Sequence, residues 1–494
     1  MRKRHGFFLV LFVSLLSTAG PGYAQDLLWA NNYGGTYNEG GYSCKVTTNG
    51  SYITLGSTYS YGTGDHDIYL LKLDSLGDTL WTRTFGGDDT DYGYDIEQTS
   101  DGGFILVGKT RSYGAGLMDV YLIRTDSLGN EIWSKTFGGT ANDDGMSVRQ
   151  TSDGGFIVCG TTNSFGNGYA DVYLIKTNAL GDMLWARAYG GAGGDLGYAV
   201  RPAAAGGYIL IGTTGSFGEG YSSMYVVRTN ANGDTLWTAT YGGTGADLGY
   251  AVENTFDGGF VFAGATGSFG LGYYDMYLVK TDPDGWVDWD YTYGGNYDDR
   301  AYSVCPTADG GYILAGTTES FGSGMIDIYV VKTDLMGEKL WDNTFGGSKS
   351  DYGYMILEES SRAYFLVGYS YSYSAGGSDV YVAKIDGGDP TPVIDDWSET
   401  LPADFELHQN YPNPFNAVTQ IEFTLSRRSD ITLVVYNVLG QRVREWDFGS
   451  LPVGTYTETW DGTSDGGAEV ASGVYFYMLR AENFTDTRKM ILLK

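Results

Sequence analysis

Seven tryptophans, Trp29, Trp81, Trp133, Trp185, Trp237, Trp289 and Trp341, stand 52 residues apart without a slip. A Gly-Gly pair follows each at one fixed offset, from Gly34-Gly35 to Gly346-Gly347. So strict a period means one supersecondary unit used seven times over roughly residues 26–389. A short unit cannot bury its own hydrophobic faces, so it must stack on its neighbours.

The second copy shows what the unit contains. "LWTRTFGG" (Leu80 to Gly87) reads as a strand ending in a glycine turn. "YGYDIEQT" (Tyr92 to Thr99), "FILVGKT" (Phe104 to Thr110) and "DVYLIRTD" (Asp119 to Asp126) read as three more strands. The last two are apolar on both faces, as expected of strands covered by sheets on each side. Gly is 76 of 494 residues and Tyr 42, a balance that suits short strands and tight turns. Pro is only 10, too few for a linker-type chain. Four strands per unit, seven units and no helical pattern predict an all-β chain built on a seven-bladed β-propeller. An open β-solenoid is the alternative, but it needs distinct end caps that the sequence does not offer. The first unit begins with its Trp strand and the last ends at Lys384-Ile385-Asp386 with no Trp at the next step of the period, where Val393 stands. The Trp29 strand is therefore expected beside the last fourth strand, closing the ring. The ordered pattern of Trp, aromatic-Gly-Gly, Asp-Gly-Gly-Phe/Tyr and Asp-x-Tyr-Leu-x-Lys-x-Asp resembles a bacterial repeat family of extracellular propeller-like proteins. That resemblance speaks to architecture and hardly to activity.

"TSDGGFILVG" (Thr99 to Gly108) offers an Asp and two glycines that suit an ion or a turn. In the same phase the first unit has Asn49-Gly50-Ser51, the fourth Ala205-Gly206-Gly207 and the seventh Ser361-Arg362-Ala363. A ligand motif does not survive loss of its Asp in three of seven copies, whereas a turn does, so this is read as the hairpin between second and third strands.

The period also turns single residues into rings. Glu39, Asp91, Asp143, Asp195, Asp247, Asp299 and Asp351 form an acidic ring. Lys72, Arg124, Lys176, Arg228, Lys280, Lys332 and Lys384 form a basic one. Asp67, Asp119, Asp171, Asp275, Asp327 and Asp379 form a third, with Ser223 as the exception. Partly buried carboxylates need partners, so the basic ring is expected to pair with the acidic ones. A single active site needs an asymmetric set of groups, and rings are scaffold first.

Departures from the repeat then become the candidate sites. The fourth unit loses acids at Ala203-Ala204-Ala205 and Ser223. The fifth carries "DPDGWVDWD" (Asp282 to Asp290), with an extra Trp286 and with Asp282, Asp284 and Asp288 spaced like a calcium loop. The same place is a hairpin turn in the other units, and calcium is the one cofactor the sequence suggests. The seventh unit has "YSYSYS" (Tyr369 to Ser374) and the first "TYSYG" (Thr58 to Gly62). If the ring closes, Tyr59, Tyr61, Tyr371 and Tyr373 are expected to form an aromatic patch for a sugar ring or protein surface, together with Trp286 as ligand-binding candidates. The phase of Tyr61 and Tyr373 is aromatic in every unit, which equally fits a packing role.

Composition excludes several functions. A net charge of -30 disfavours nucleic acid as a partner. Three histidines, His5, His66 and His408, leave no His-rich metal site and few triads. Cys44, Cys159 and Cys305 are too few and too scattered for a disulfide framework and are expected as buried apolar residues. The segment Thr125 to Trp133 resembles the Asp-box of sialidases, but with longer Asp–Gly–Trp spacing and no repeated arginine cluster. No carboxylate pair for glycoside hydrolysis stands out in so acidic a chain.

The two ends carry a different message. Basic residues Met1 to His5, an apolar run Phe7 to Leu16 and Gly22-Tyr23-Ala24 are expected to form a secretory signal ending at Ala24. The apolar run is too short to span a bilayer, and no transmembrane segment is expected in the mature chain. Residues 390–400 read as a linker, and residues 401–494 as a small Ig-like β-sandwich of alternating strands. This last region carries "NYPNPFN" (Asn410 to Asn416), "VYNVLGQRV" (Val435 to Val443), Trp460-Asp461-Gly462, Ser472-Gly473-Val474-Tyr475 and Lys489-Met490. It resembles the type A C-terminal sorting domain of the bacterial type IX secretion system, departing at Ala417, where Pro is common. The resemblance implies a type IX translocon as partner, with Arg488 and Lys489 as the first positions to test. It also implies a Gram-negative protein that is secreted or attached to the outer surface. The expected function is a binding or adhesion module for an extracellular glycan or protein. The alternatives are a polysaccharide-acting enzyme using loop acids, or a calcium-stabilised structural surface protein.

Overall fold

The computed structural model describes residues 27–360, 363–374, 376–387, 405–416, 418–425, 429–451, 454–481 and 484–493. The expected signal (1–24), the whole of the expected linker (390–400), Leu401, Ala417, Ser361 and Arg362 lie outside the described residues. All regular structure among the described residues is β.

Seven four-stranded antiparallel sheets follow one another. The first blade is Glu39–Val46, Tyr52–Thr58, Asp67–Leu73 and Thr79–Phe85, paired in that order. Blades two to six repeat it, and a bulge recurs in each innermost strand, at Gly41/Ser43 in blade one and Gly93/Asp95 in blade two. The seventh sheet takes Asp351–Ser360, Ala363–Ser370 and Asp379–Asp386 from the end of the repeat, and its outermost strand, Leu27–Tyr33, from the beginning. Ala30 pairs with Ala383 and Asn32 with Tyr381. The ring is closed as the missing eighth tryptophan predicts, and no free solenoid end is left. The sequence unit and the blade are one strand out of step. Each Trp strand opens a sequence unit, yet it is the outermost strand of the preceding blade.

The core lies between blades. Each of seven buried clusters joins two neighbouring sheets. Ile53, Leu55, Ile68 and Leu70 of blade one meet Ile96, Phe104 and Leu106 of blade two, and Cys44, Tyr52 and Leu71 meet Phe365, Val367 and Val380 across the closure. This explains strands apolar on both faces: Tyr52–Thr58 and Asp119–Thr125 are buried at every residue. Each of the seven repeat tryptophans reaches forward to the next blade. Trp29 lies 6.0 Å from Tyr52, and Trp133 5.9 Å from Phe156, centroid to centroid. The Asp-Gly-Gly segments are the expected turns, with Gly102 at φ 85° and its N–H donated to the Thr99 carbonyl.

The C-terminal region is a separate sandwich. Three strands (Glu406–Leu407, Thr419–Leu425, Gly454–Trp460) form one sheet. Five (Phe415–Asn416, Ser429–Asn437, Arg442–Leu451, Gly473–Ala481, Phe484–Leu493) form the other. Phe415, Ile421, Phe423, Leu433, Trp460, Tyr477 and Met490 fill the space between them. The Trp460 indole N–H donates to the Thr463 carbonyl at 2.8 Å, which lets so large a polar-edged ring be fully buried.

Candidate functional site

Counted within a blade, the Asp-Gly-Gly turns join first and second strands; the loops between second and third strands and those between blades share the other face of the ring. They touch: Asp91 N–H donates to the His66 carbonyl, and Asp143 N–H to that of Met118. The first acidic ring lies beneath this face and holds it together. Asp247 Oδ2 accepts from the Gly243 N–H at 2.8 Å and the Ser268 hydroxyl at 2.7 Å, and its Oδ1 accepts from the Thr266 hydroxyl at 2.5 Å. Asp143, Asp195 and Asp351 repeat the set, and Glu39 accepts from Gly35 and Thr58. The third ring caps the loops. Asp171 Oδ2 takes the Asn167 and Gly168 N–H groups, and Asp275 those of Leu271 and Gly272. These acids therefore satisfy amides and hydroxyls. The expected pairing with the basic ring does not occur, because the bases sit at the other end of the third strand, by the opposite face.

There the basic ring meets the Asp of the Asp-Gly-Gly turns. Lys176 lies 2.9 Å from Asp153, Lys280 2.7 Å from Asp257, Lys332 2.8 Å from Asp309, and Arg124 2.5 Å from Asp101. Where the turn lacks its Asp, the cation finds another acceptor. Lys72 donates to the Thr47 hydroxyl at 3.3 Å, Arg228 to the Gly206 carbonyl at 2.6 Å, and Lys384 pairs with Glu359 at 2.5 Å. The Asp-Gly-Gly segment is a turn as expected, and its Asp has the further task of neutralising a buried cation.

The fifth-blade loop lies on this opposite face. Asp282 Oδ1 accepts the N–H groups of Asp284, at 3.0 Å, and Trp286, at 2.9 Å. Asp288 lies 3.2 Å from Lys280. These bonds aim Asp282 and Asp288 at different partners. Among the described residues no group of three or more His, Cys, Asp or Glu is arranged to hold a metal ion. Trp286 is 71% exposed at the tip of the hairpin.

The four tyrosines of blades one and seven divide. Tyr61 donates to the Gly34 carbonyl at 2.8 Å and packs on Tyr69; Tyr373 donates to the Gly346 carbonyl at 2.6 Å and packs on Tyr381. Phe217 packs on Tyr225 in the same way, which is the packing role. Tyr59 meets Tyr37 and His66, whereas Tyr371 meets Tyr369. Each thus sits in its own aromatic neighbourhood, and no ring contact joins the two pairs among the described residues.

Two sets of residues escaped the sequence reading. Around the axis, the bulge residue of each innermost strand is Tyr42, Tyr94, Met146, Tyr198, Tyr250, Tyr302 or Tyr354. Their rings follow one another at 5.1 to 5.7 Å, from Tyr198 through Tyr250, Tyr302, Tyr354 and Tyr42 to Tyr94. Three residues further along each strand the period fails completely, giving Lys45, Glu97, Arg149, Arg201, Glu253, Cys305 and Leu357. Arg149 bridges to Asp95 and Arg201 to Glu253, each at 2.5 Å. Burial pushes the Lys45 ammonium below, and the Glu97 carboxyl above, their ordinary pKa values. Burial also pushes the thiols up, Cys44 to about 12 and Cys305 to about 11, as expected of packed, unreactive cysteines.

The second set lies on the loop face. At one phase of the loop between second and third strands stand Leu117, Tyr169, Tyr221, Tyr273 and Met325, all exposed, the three tyrosines at 85%, 91% and 80%. The glycine before each tyrosine explains the presentation. A Cβ at Gly220 would lie 2.0 Å from the Gly245 carbonyl oxygen, and one at Gly272 2.1 Å from that of Tyr297. The backbone is pressed onto the neighbouring loop, and the next side chain has only solvent to enter. Blades one and seven have Asp65 and Gly377 at this phase, so the exposed residues make an arc over five consecutive blades. The signal was present in the sequence as five large apolar residues after a glycine where a loop should be polar.

In the C-terminal sandwich, Arg488 and Lys489 lie on the last strand with exposed side chains. Arg488 Nε donates to the Leu407 carbonyl at 3.0 Å, and the Lys489 carbonyl accepts from Gln409 at 2.9 Å.

Residues 414–483 match the FlgD Ig-like domain, which agrees with this sandwich. The regulatory protein FlaEY of Caulobacter vibrioides is 28% identical over 114 residues, which make up 20% of this chain and 12% of that protein. The chain thus spans about an eighth of that relative's length. Among solved structures, PorZ, a surface component of the type IX secretion system of Porphyromonas gingivalis, matches with a TM-score of 0.39 and 11% identity, over 90% of this chain and 58% of that one. A fungal alcohol oxidase solved in complex with copper matches with a TM-score of 0.43 and 10% identity, over 95% of this chain and the whole of the other. What the chain carries in its own right is a closed seven-bladed β-propeller followed by an Ig-like domain.

Proposed function

We propose that this protein is an extracellular binding module whose propeller engages a glycan or protein through its loop face. The observation that carries this reading is the arc Leu117, Tyr169, Tyr221, Tyr273 and Met325. Five blades each expose one large apolar side chain at the same height, on loops that the buried acids hold in place. Exposed aromatic and large apolar side chains are the anchors that binding surfaces use. In this reading residues 1–24 direct export, 26–389 form the binding propeller, 390–400 link, and 401–494 engage a type IX translocon with Arg488 and Lys489 at the contact. The protein then ends outside the cell or on the outer surface of a Gram-negative bacterium. The sequence motifs from Asn410 to Met490 support that part.

The test uses the full chain on glycan and protein arrays. Tyr221→Ala with Tyr273→Ala is expected to remove the captured signal and leave the melting temperature unchanged. Turnover of a captured polysaccharide, abolished by a single Asp substitution with folding intact, would replace binding by catalysis. Arg488→Ala with Lys489→Ala is expected to leave the protein in the periplasm of its host, and unimpaired export sinks the sorting assignment.

A further inference from the structure

The closure seam holds a cleft of about 570 Å³ that the loop-face reading does not use. It runs between the borrowed strand of blade seven and blade one, lined by Asn32, Tyr33, Tyr61, Tyr69, Thr82 and Thr84 among others. Its size falls within the range of small-ligand sites, roughly 300 to 1,000 Å³. Its lining is amide, threonine hydroxyls, tyrosine and the Arg83 side chain, with no aliphatic wall.

In blades five and six the same place is filled differently. In blade five the tyrosine equivalent to Tyr69, Tyr277, donates to Asp290 at 2.8 Å; in blade six Tyr329 donates to Asp342 at 2.5 Å. Blade one has Thr82 where those blades have the Asp. The hydroxyls of Tyr69, Thr82 and Thr84 take no hydrogen-bond partner among the described residues. Asn32 stands where every other blade has Thr or Ala. Its Oδ1 is buried without a hydrogen-bond partner. A buried amide oxygen left unpaired is destabilising, and an incoming donor relieves it.

We infer that this seam cleft is a saccharide subsite, sized for one or two neutral pyranose rings. Asn32 Oδ1 accepts from a sugar hydroxyl, Thr82 and Thr84 exchange hydrogen bonds with others, and the Tyr61 ring, exposed on the side turned away from Tyr69, offers an apolar face to the C–H side of the sugar. Arg83, the one charged residue of the lining, lies over the Trp81 ring and donates to the Thr82 carbonyl at 2.8 Å, so a neutral ligand leaves no charge to be matched.

The full chain is titrated with glucose, galactose, mannose, N-acetylglucosamine, maltose and cellobiose, followed by saturation-transfer NMR and by hydrogen exchange. At least one sugar is expected to bind and to protect the segments around Asn32 and Thr82–Thr84. Asn32→Thr, the residue most other blades carry, and Thr82→Asp, which recreates the tyrosine–carboxylate bond of blades five and six, are each expected to weaken it about tenfold or more. Tyr221→Ala is expected to leave it unchanged, which separates this site from the loop face. The inference is overturned if none of the six sugars binds, if protection falls elsewhere on the chain, or if both seam variants bind like the parent.

Discussion

Arg149 of blade three reaches the Asp95 carboxylate of blade two at 2.5 Å, and both side chains are 9% exposed. Asp95 also accepts from Ser43 of blade one at 2.8 Å and from Ser147 of blade three at 3.1 Å. One carboxylate thus ties three blades together at the axis. Burial raises its pKa, but Arg149, Lys45 and Arg201 outweigh burial and hold it at about 2. A carboxyl depressed in the folded state stabilises the fold above its unfolded pKa, about 4, and loses that contribution as pH falls towards 2. Denaturant unfolding from pH 7 to pH 2 should therefore show an acid step on the order of 2 kcal/mol that is missing in Asp95→Asn. An identical acid limb in both proteins contradicts the assignment.

The basic ring makes a second prediction. Lys332 is 2% exposed, and its ammonium is shared between Asp309 and the Thr333 carbonyl at 2.8 Å. Asp309→Ala leaves that charge half satisfied and should cost about 1–3 kcal/mol in urea unfolding. Blade four shows the repair. With Ala205 in the turn, Arg228 extends to the Gly206 carbonyl. Adding Lys332→Arg to Asp309→Ala should restore most of the loss, and a double variant no better than the single one argues against this geometry.

Asp282 separates a turn residue from a cation ligand. Its equivalents in blades three and four are Asn178 and Asn230, which accept the same pair of N–H groups through Oδ1. Asp282→Asn should leave the thermal midpoint unchanged, while Asp282→Ala should cost about 0.5–1 kcal/mol, both with and without chelator. A midpoint that falls in Asp282→Asn, or falls with chelator in the parent, restores the calcium reading of Asp282, Asp284 and Asp288.

Closure is testable by subtraction. Removing residues 27–33 strips the outermost strand from blade seven and bares the edge carrying Val380, Val382 and Lys384. The shortened chain should unfold at lower denaturant, and a peptide of sequence LLWANNY should raise its midpoint in a concentration-dependent way. A shortened chain as stable as the parent would mean that the ring does not depend on the seam.

Architecture was legible because it is written as spacing. The period gave the blade count, and the absence of a Trp at the period's next step after Trp341 gave the closure. The glycines of the Asp-Gly-Gly turns needed only their positive φ to be read correctly. Partners were harder. Asp247 is served by Thr266 and Ser268, a hydroxyl pair present in the sequence but meaningless until the loop folds back over the acid. The tyrosines misled for a related reason: adjacency of blades one and seven does not bring Tyr59 to Tyr371, because each loop turns its ring onto its own neighbours. The axial residues Lys45, Glu97, Arg149, Arg201 and Glu253 were hidden by their irregularity. Only the bulge, which brings side chains of the innermost strand to the axis, makes them a set.

The borrowed strand also sets a timetable. Ribosomes deliver Leu27–Tyr33 long before Asp379–Asp386, its partner across the sheet. During that interval the nascent array has two raw edges, each able to recruit a stray strand from another molecule. The last contact formed is also among the longest in sequence, which slows the search for it. Completion is a single late event, and any step that releases the C-terminal part of the repeat to its surroundings decides when this molecule stops being sticky.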